Sequence, residues 1–562
     1  MLYPAAAVLL NLLFFFLSPV VGEETYNKYC ASCHHPQKIG ITAPPLLPMT
    51  LSKYTDEELT KIIKNGLSST QMPSFGNLKD EEIKSIIRFL REDIPINWSI
   101  KEIRSSLTLN NNIQKKVLNI KNIKNITFVV ERGHNKIWIM ENEDILDAFD
   151  FSNVHGGIKY TLDGKNFYIP SRDGWIGYYK INNKKEGYYV GKIRACINLR
   201  NISLSKNGNY LIVSCLLPQT LEILNAKTLE PIKEIQLDGK ISAIYELYKS
   251  DKAIFTFRDK PIIGILNTKD LSINYIKAEE PIEDFFIDPF DKFLIGTSRK
   301  DKKLVVYELE KFKLVFEDKM DSMPHLFSAA FWYKNGKFYF ATPHIGKPYI
   351  SIWQMYDWKF IKNVEIGSPG FFVKTHPSTD YLWVDNGSDA VVLINKNDFS
   401  EKFMTIVKGK KFTHTEFNGN GNIAYLSIYD NDGYLILYDT KKLQEIKRYP
   451  ASYPVGKYNF VNKERSFYPS LFGEEIFKEK CWGCHHQTQE AFGPSFKYIA
   501  NNRTESQIIA QILDPKNSYK LLGYKRNSMP AFNFNEYEIE SIVNYIKSFR
   551  EDKNDRRNLP SS

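Results

Sequence analysis

Two short motifs carry cysteine and histidine at a spacing that suits covalent haem attachment. They stand near opposite ends of the 562-residue chain and read Cys30-Ala-Ser-Cys33-His34 and Cys481-Trp-Gly-Cys484-His485. Each cysteine of such a pair can form a thioether bond to a haem vinyl group, and the histidine that follows can bind the iron. A zinc site is the alternative for paired cysteines, but the adjacent histidine counts against it. The sequence therefore predicts two covalent c-type haems.

A Met-Pro pair follows each motif in the chain, at Met72-Pro73 and at Met529-Pro530. A methionine thioether in a loop downstream of a haem motif is an expected sixth iron ligand, and it raises the reduction potential. Ordinary packing is the alternative for a lone methionine, but its distance from the motif favours ligation. We therefore expect one iron to lie between His34 and Met72. The other is expected between His485 and Met529.

The residues around each motif predict a small helical domain. In residues 23–95, Thr55-Asp-Glu-Glu58 is a capping box that opens one helix, and a second amphipathic helix follows. Residues 466–551 repeat this layout, with Gly493-Pro494 in place of Ala43-Pro44, where the proline carbonyl is expected to hold the haem histidine. Both segments resemble class I cytochrome c domains over their whole length. We therefore predict two all-α cytochrome c domains.

The middle of the chain, about residues 113–462, has a different pattern. Short β-rich runs and Asp-Gly or Asn-Gly turns return there at intervals of about 45 residues, the spacing of four-stranded propeller blades. Eight such units begin at Ile126–Val130, Gly157–Gly164, Ile202–Gly208, Ile241–Tyr245, Asp284–Asp288, Ser328–Gly336, Phe372–Pro377 and Thr415–Gly421. The sequence therefore predicts an eight-bladed β-propeller that Pro454–Phe460 closes against the first blade. Residues 96–112 are expected to form a linker.

Residues 5–21 form an apolar run without a charged residue. This run predicts a signal peptide over residues 1–22 and export to the periplasm, although an uncleaved anchor is the alternative because the start lacks a positive charge. No other stretch is long and apolar enough to span a membrane. In an exported protein, Cys196 and Cys215 form either a disulfide or two separate buried thiols. Residues 552–562 are expected to form a flexible tail.

The net charge of the chain and its distribution indicate which classes of partner to expect. It has 75 basic and 65 acidic residues, a formal net charge of +10 at pH 7. The excess is spread along the chain, mainly as lysine, which predicts a solvated surface that steers charged partners. No basic helix or aromatic-basic alternation is present, so we expect no binding to nucleic acid.

The order of a cytochrome c domain and an eight-bladed propeller resembles the cytochrome cd1 family over nearly all of residues 23–462. The propeller segments that match this family are Ser171–Gly174, Pro218-Gln219, Phe372–Asp385, Glu416–Asn418 and Gly456-Lys457. The C-terminal cytochrome c domain lies outside the family's usual pattern. The resemblance implies that one heme d1, a non-covalent tetrapyrrole with several carboxylates, binds in the central channel of the propeller.

The resemblance also implies which residues hold this tetrapyrrole. His155 takes the position of the family's proximal iron ligand. Arg132 and Arg172 match positions that pair with the carboxylates, a role that suits the guanidinium fork, and solvated surface arginines are the alternative. His344 is a further candidate for the channel, whereas His376 is expected to be structural.

Nitrite reductases of this family use two histidines on the distal side of the tetrapyrrole. His325 matches one of them, but Ile287 stands at the position of the other and can neither donate a proton nor bind an anion. Nitrite reduction to nitric oxide takes one electron and two protons, so this loss affects the chemistry directly. A single distal histidine resembles dihydro-heme d1 dehydrogenases, which oxidise a saturated propionate side chain to the acrylate of heme d1. We expect His325 to be the catalytic residue.

The sequence therefore predicts a periplasmic haem oxidoreductase, and a dihydro-heme d1 dehydrogenase is the preferred function. Its cofactors would be two covalent c-type haems and one non-covalent heme d1 or dihydro-heme d1, and the two c-type haems can take the two electrons that this oxidation releases. An NO-forming nitrite reductase and a non-enzymatic electron shuttle or heme d1 carrier are the alternatives. Small soluble redox proteins, a cytochrome or a cupredoxin, are the expected partners, besides other heme d1 biosynthesis proteins or a nitrite reductase.

Overall fold

The computed structural model describes residues 22–41, 43–67, 72–298, 300 and 302–551. The predicted signal peptide before residue 22 and the predicted tail after residue 551 lie outside the described residues. Within the described part of the chain, no helix combines the length and the apolar character that crossing a membrane requires.

Eight antiparallel sheets in the described residues form the predicted eight-bladed propeller. Both faces of strands such as Tyr210–Leu217 are packed in apolar clusters against neighbouring blades, which explains their nearly continuous apolar sequence. Named from the innermost strand outward, blade 1 contains Pro454–Asn459, Ile126–Glu131, Lys136–Glu141 and Asp144–Asp150; blade 2 contains Lys159–Tyr160, Asn166–Pro170, Trp175–Ile181 and Glu186–Arg194, with Thr108–Leu109 and Lys116–Val117 at its outer edge; and blade 3 contains Asn198–Leu204, Tyr210–Leu217, Thr220–Asn225 and Pro231–Gln236. Blade 4 contains Ile241–Leu247, Lys252–Phe257, Ile262–Asn267 and Ile273–Lys277; blade 5 contains Asp284–Ile287, Phe293–Ser298, Lys303–Glu308 and Lys313–Lys319; and blade 6 contains Ala330–Lys334, Lys337–Pro343, Tyr349–Gln354 and Lys359–Glu365. Blade 7 contains Val373–Lys374, Tyr381–Asp385, Ala390–Asn395 and Glu401–Thr405, and blade 8 contains Phe412–Phe417, Ile423–Ile428, Tyr434–Asp439 and Gln444–Pro450.

The two ends of the propeller segment pair with each other and close the ring. Pro454–Asn459 pairs antiparallel with Ile126–Glu131, with Thr127 opposite Asn459, so the predicted closure is confirmed. The predicted alignment made Ile126–Val130 the first strand of its blade, like the starts of the other seven units. This was wrong by one strand, because Pro454–Asn459 is the innermost strand of blade 1 and Ile126–Glu131 is the second. The repeat pattern does not separate these two registers, since both strands are short and apolar.

The direction of the innermost strands defines two faces of the propeller. Loops that precede the innermost strands lie on one face, which we call the upper face, and loops that follow them lie on the lower face. Arg194, at the end of blade 2, donates a hydrogen bond from Nη1 to the carbonyl of Gly40 at 2.8 Å and another from Nη2 to that of Ile39. Ile39 and Leu47 pack against Ile197, just before blade 3. The N-terminal cytochrome segment therefore contacts the upper face at blades 2 and 3.

Short helices surround the first haem motif. Residues 22–29 are helical, and the helices that follow are Ala31–His34, Pro48–Leu51, Asp56–Asn65 and Asp80–Arg91. The predicted capping box is confirmed, because the Thr55 hydroxyl accepts from the Glu58 amide and the Glu58 carboxylate accepts from the Thr55 amide. The segment predicted as a linker is structured, since helix Ile100–Ser105 buries Ile103 against blade 3.

The C-terminal helices pack on the lower face of the propeller. They are Phe460–Lys463, Arg465–Phe467 (a 3₁₀ turn), Tyr468–Ile476, Phe477–Cys481 (a π-helical turn), Phe496–Asn502, Glu505–Leu513, Pro515–Leu521 and Glu536–Lys547. The ring of Tyr537 stacks on Tyr356 with centroids 3.8 Å apart, and the Tyr333 hydroxyl donates to Glu538 at 2.8 Å. Because Tyr333 ends an innermost strand, the two haem motifs belong to segments on opposite faces of the propeller.

Cys196 and Cys215 form a disulfide, with their Cα atoms 6.1 Å apart. Both residues are fully buried, and the bond joins the segment before blade 3 to the second strand of that blade. The alternative of two separate thiols is therefore wrong. Such a crosslink stabilises a fold mainly by restricting the unfolded chain.

A buried ion pair connects the C-terminal helices to the propeller and makes a testable contribution to stability. Lys396 Nζ lies 3.0 Å from Glu475 Oε1, and the side chains are 5% and 10% exposed. Replacing one partner leaves a buried charge unpaired, so Lys396→Met should lower the free energy of unfolding by about 3 kcal/mol. The control is Lys334→Met, whose more exposed pair with Glu479 should contribute less than about 1 kcal/mol. Chemical denaturation followed by circular dichroism measures both, and equal effects would contradict the prediction.

Candidate functional site

The C-terminal segment contains a cavity of about 950 Å³ lined by all four residues predicted to bind the second haem. These residues are Cys481, Cys484, His485 and Met529. His485 Nδ1 donates to the carbonyl of Pro494 at 2.7 Å, which leaves Nε2 available for an iron. Neither cysteine is in a disulfide. The size of the cavity and its donor atoms therefore fit a covalently attached haem.

The first haem motif has the same local geometry. His34 Nδ1 donates to the carbonyl of Pro44 at 2.8 Å, as predicted. Burial lowers the pKa of His34, which favours the neutral imidazole that binds iron. Cys30 and Cys33 are both free thiols. The donor set fits a haem here as well, and ligation of its iron by Met72 stays a prediction.

Four arginines converge on the upper face of the propeller. Arg132, Arg172 and Arg258 each follow the second strand of a blade, in blades 1, 2 and 4, and Arg200 lies in the innermost strand of blade 3. The ends of second strands meet the starts of innermost strands at one face, so the repeat architecture brings these side chains together. Sequence analysis missed Arg200 and Arg258. The position after the second strand, shared with Arg132 and Arg172, is the signal that would have found Arg258.

His155 lies among these arginines, just before the innermost strand of blade 2. Burial, followed by the charges of Arg172, Arg200, Arg132 and Arg258, lowers the pKa of His155 to about 3. The ring is therefore neutral at physiological pH, the state in which an imidazole binds iron. Arg172 Nη2 lies 3.1 Å from His155 Nε2, so this guanidinium must turn aside when a metal binds the ring.

The arginine cluster has the electrostatics of an anion site. Burial and the charges of Arg132 and Arg258 lower the pKa of Arg172. Burial, followed by the charge of Arg258, lowers the pKa of Arg200 to about 10. Carboxylates that bind between such cations relieve their mutual repulsion. The cluster and His155 together therefore fit an iron tetrapyrrole that carries several carboxylates.

His325 lies before the innermost strand of blade 6, which is opposite blade 2 in the ring. Its Nδ1 donates to Asp284 Oδ2 at 3.1 Å, and Asp284 Oδ1 accepts from the Phe327 amide at 3.1 Å. Burial raises the pKa of Asp284, against the opposing effects of His325 and Arg200. The hydrogen bond orients the His325 ring and leaves Nε2 free to take or give a proton. Asp284 was missed from the sequence, although a lone carboxylate in an apolar innermost strand is a usable signal.

The structure places Ile287 apart from His325. Both Ile287 and Asp284 belong to the innermost strand of blade 5, but Ile287 is buried in an apolar cluster with Leu294 and Val305. Residues three positions apart on a strand point to opposite faces of the sheet. Asp284 is therefore the residue of this strand that contacts His325.

His414 is a second buried histidine near His325 that sequence analysis left without a role. Its ring centroid lies 4.8 Å from that of Phe372, which in turn lies 6.5 Å from that of His325. His414 Nδ1 has no hydrogen-bond partner within the part of the chain that the structure describes. Burial holds the pKa of His414 well below its usual value. The buried ring of His414 therefore packs against Phe372 from the innermost strand of blade 8.

Two other histidines have structural roles. His344 is buried, and its two ring nitrogens lie 2.8 Å from the Ser322 hydroxyl and 2.9 Å from the Ser351 hydroxyl. The expectation that His344 is available to the channel was therefore wrong, because both nitrogens are engaged. His376 is buried and accepts from the Ser378 amide at 3.1 Å, which agrees with its predicted structural role.

Comparison with known proteins agrees with the fold, and the two together define a haem oxidoreductase built on a propeller between two cytochrome c segments. The sequence model of the family described as Cytochrome D1 heme domain matches residues 121–463. The model of the cytochrome C oxidase, cbb3-type, subunit III family matches residues 19–90, and that of the cytochrome c family matches residues 472–550. The chain belongs to the cytochrome D1 heme domain family.

Several individual proteins of known function are similar to this chain. Dihydro-heme d1 dehydrogenase of Pseudomonas aeruginosa is 30% identical over 465 residues, 79% of this chain and 94% of the relative. Nitrite reductase of Stutzerimonas stutzeri is 21% identical over 523 residues, 80% of this chain and 93% of the relative. A solved structure of dihydro-heme d1 dehydrogenase NirN in complex with DHE matches with a TM-score of 0.74 and 30% identity, covering 79% of this chain and 99% of that chain.

The two haem motifs predict the haem content of the purified protein. The exported chain should carry two covalent c-type haems, measured by the pyridine haemochrome assay against protein concentration. Met72→Ala and Met529→Ala should each lower the reduction potential of one haem and leave its covalent attachment unchanged, because the thioether ligand raises the potential. One haem per chain, or unchanged potentials in both variants, would refute this assignment.

His155 and His344 provide a matched pair of substitutions at buried histidines. His155→Gln should weaken binding of heme d1 and shift its absorption spectrum, because it removes the proposed iron ligand. His344→Gln should leave both properties unchanged, since both of its ring nitrogens are engaged with serines. Titrating each variant protein, prepared without heme d1, with heme d1 and recording absorption spectra measures both the affinity and the spectral shift. If the two variants bind heme d1 with the same affinity and the same spectrum, the iron ligand is a residue other than His155.

Proposed function

We propose that this chain is an exported dihydro-heme d1 dehydrogenase. The observation that carries the proposal is that His155 lies among four arginines on the upper face of the propeller, while His325 and Asp284 pair across the ring, at blades 6 and 5. The arginines suit a substrate with several carboxylates, and the histidine suits removal of a proton. The relative with this activity is 30% identical and is covered over 94% of its length.

The arginines and His155 would bind and orient the substrate. Guanidinium groups pair with carboxylates through two parallel hydrogen bonds, which fixes direction as well as affinity. Arg132 and Arg172 are exposed, and each contacts a single ring, that of Tyr429 or His155. Arg200 is held by its hydrogen bond to the Ser242 carbonyl. The neutral His155 ring would hold the substrate iron.

His325 would act as the base. Its Nδ1 hydrogen is held by Asp284, so Nε2 accepts the proton and the resulting imidazolium lies beside a carboxylate that stabilises it. Oxidation of the saturated propionate to the acrylate breaks two C–H bonds and releases two protons and two electrons. His414, on the other side of Phe372, offers a second buried nitrogen for a proton. The c-type haems, when bound, supply two one-electron acceptors.

We infer the cellular setting from the haem motifs and the apolar start of the chain. Cytochrome c attachment and a signal peptide over residues 1–22 support a periplasmic protein with two covalent haems. The helices of residues 22–92 and 460–547 support all-α cytochrome c domains. A soluble cytochrome or a cupredoxin would then accept the electrons from the reduced c-type haems, in a role related to denitrification.

Nitrite reduction is the second candidate function. The observation that favours it is that His325 and His414 both lie against Phe372, so a second, buried histidine lies close to the proposed catalytic one. The nitrite reductase relative is 21% identical. The lower identity, and the carboxylate partner that holds His325 as a base, place this function second.

Anaerobic incubation with each substrate distinguishes the two functions. The loaded protein should convert dihydro-heme d1 to heme d1 with reduction of its c-type haems, and it should release little nitric oxide from nitrite. His325→Ala should slow the conversion ~10²–10⁴-fold, the usual effect of removing a general base. The exposed His134 serves as the control, and His134→Ala should keep the unmodified rate.

The residual rate of His325→Ala tests the role of His414. If His414 takes over in part, the double substitution with His414→Ala should lose the remaining rate. Rapid nitric oxide release by the unmodified protein, without conversion of dihydro-heme d1, would overturn the dehydrogenase in favour of the reductase.

A further inference from the structure

The chain crosses the lower mouth of the propeller channel before it enters the C-terminal helices. This floor segment, residues 460–468, starts at Phe460, whose ring lies 5.8 Å from Tyr160 of blade 2. It ends at Tyr468, whose ring lies 5.4 Å from Phe331 of blade 6. Blades 2 and 6 are opposite in a ring of eight, so the floor segment spans the diameter of the channel.

Polar contacts fix the floor segment to further blades between these two ends. Asn462 Nδ2 donates to the carbonyl of Phe417 in blade 8 at 2.9 Å. Arg465 Nη2 donates to Asp291, after the innermost strand of blade 5, at 2.6 Å. Asp291 and Arg465 are 3% and 14% exposed, so this pair is shielded from water. The lower mouth is therefore closed, and a substrate reaches the channel from the upper face.

The floor segment leads directly to the second haem motif. Tyr468–Ile476 and Phe477–Cys481 form a continuous run of helical turns from the floor to the first haem cysteine. Along it, Phe472 lies 6.2 Å from Tyr468, and Phe477 lies 4.8 Å from Phe496, measured between ring centroids. Phe496 in turn lies 5.8 Å from the ring of His485. These rings form two groups, one beginning at the floor and one ending at the proposed iron ligand, and Phe472 and Phe477 belong to the same apolar cluster.

The same packing reaches the distal side of the channel. Leu326, next to His325, belongs to one buried apolar cluster with Phe286, Phe472 and Phe477, and Cys481 packs against that cluster. Protein interiors of this kind are close-packed, without water-filled gaps. Electron transfer slows steeply with distance and is faster through bonded and closely packed atoms than through solvent.

We propose that the C-terminal cytochrome is a second electron acceptor of the channel, reached through the floor segment. This inference rests on the proposed function. Oxidation of the saturated propionate breaks two C–H bonds, releases two protons to the histidines and sends two electrons to two ferric c-type haems. One haem would be reduced from the upper face and the other through the closed lower face. The two ferric haems therefore take both electrons of one turnover, and an external oxidant is needed only afterwards, to reoxidise them.

Electron transfer between heme d1 and the C-terminal haem tests the path without requiring dehydrogenase activity. Met72→His replaces a thioether that raises the potential, so in this background the first electron goes to the C-terminal haem. After flash reduction of the heme d1-loaded protein, a fast, concentration-independent transfer between this haem and heme d1 is expected. Tyr468→Leu, or Phe331→Leu on the propeller side, should slow the fast phase severalfold. Tyr468→Phe keeps the ring and should keep the phase.

A measurement on the protein without tetrapyrrole tests the closed floor. Backbone amides of residues 460–476 should exchange with deuterium as slowly as those of the propeller strands. If these amides exchange as fast as those of exposed loops, the lower mouth of the channel is not closed. If the rate of the fast phase is unchanged in Tyr468→Leu, the electrons do not pass through the floor segment. A fast phase without oxidation of dihydro-heme d1 would contradict the proposed function and leave the electron path standing. If oxidation of dihydro-heme d1 reduces only the N-terminal haem, the C-terminal haem is not a second electron acceptor and the proposal is wrong.

Discussion

The pairing of Pro454–Asn459 with Ile126–Glu131 is the constraint on which the rest of the structure depends. An innermost strand taken from the far end of the propeller joins the last blade to the first, and all eight blades are held in one ring. It also sets where the chain leaves the ring. Because that strand ends on the lower face, the residues after it must cross the channel mouth, and the second haem motif must lie on the side opposite the first.

Ring closure also concentrates positive charge. Arginines that are far apart in sequence meet on the upper face because each occupies an equivalent position in its blade or lies at the start of an innermost strand. Burial and mutual repulsion of these cations lower the pKa values of Arg172 and Arg200. Carboxylates that bind between the guanidinium groups offset this repulsion, so the cluster favours an anionic ligand.

The two cytochrome segments are attached to the propeller in different ways. The N-terminal segment contacts it through the Arg194 hydrogen bonds and a small apolar cluster around Ile197. The C-terminal segment shares one apolar core with blades 5 and 6 and adds the buried Lys396–Glu475 pair. This difference fits a division of roles in which the upper face admits substrate and the lower face only carries electrons.

The sequence by itself determined the elements that have local or periodic signals. These are the haem motifs with their proline carbonyls, the capping boxes, the eight blades and the closing strand. Only the tertiary structure decided which distant residues meet: Asp284 with His325, His414 with Phe372, and Arg200 and Arg258 with His155. The first blade was misplaced by one strand, because repeat patterns show that strands exist but not which neighbour each faces. Such pairings depend on ring closure between residues hundreds of positions apart, which no local pattern records.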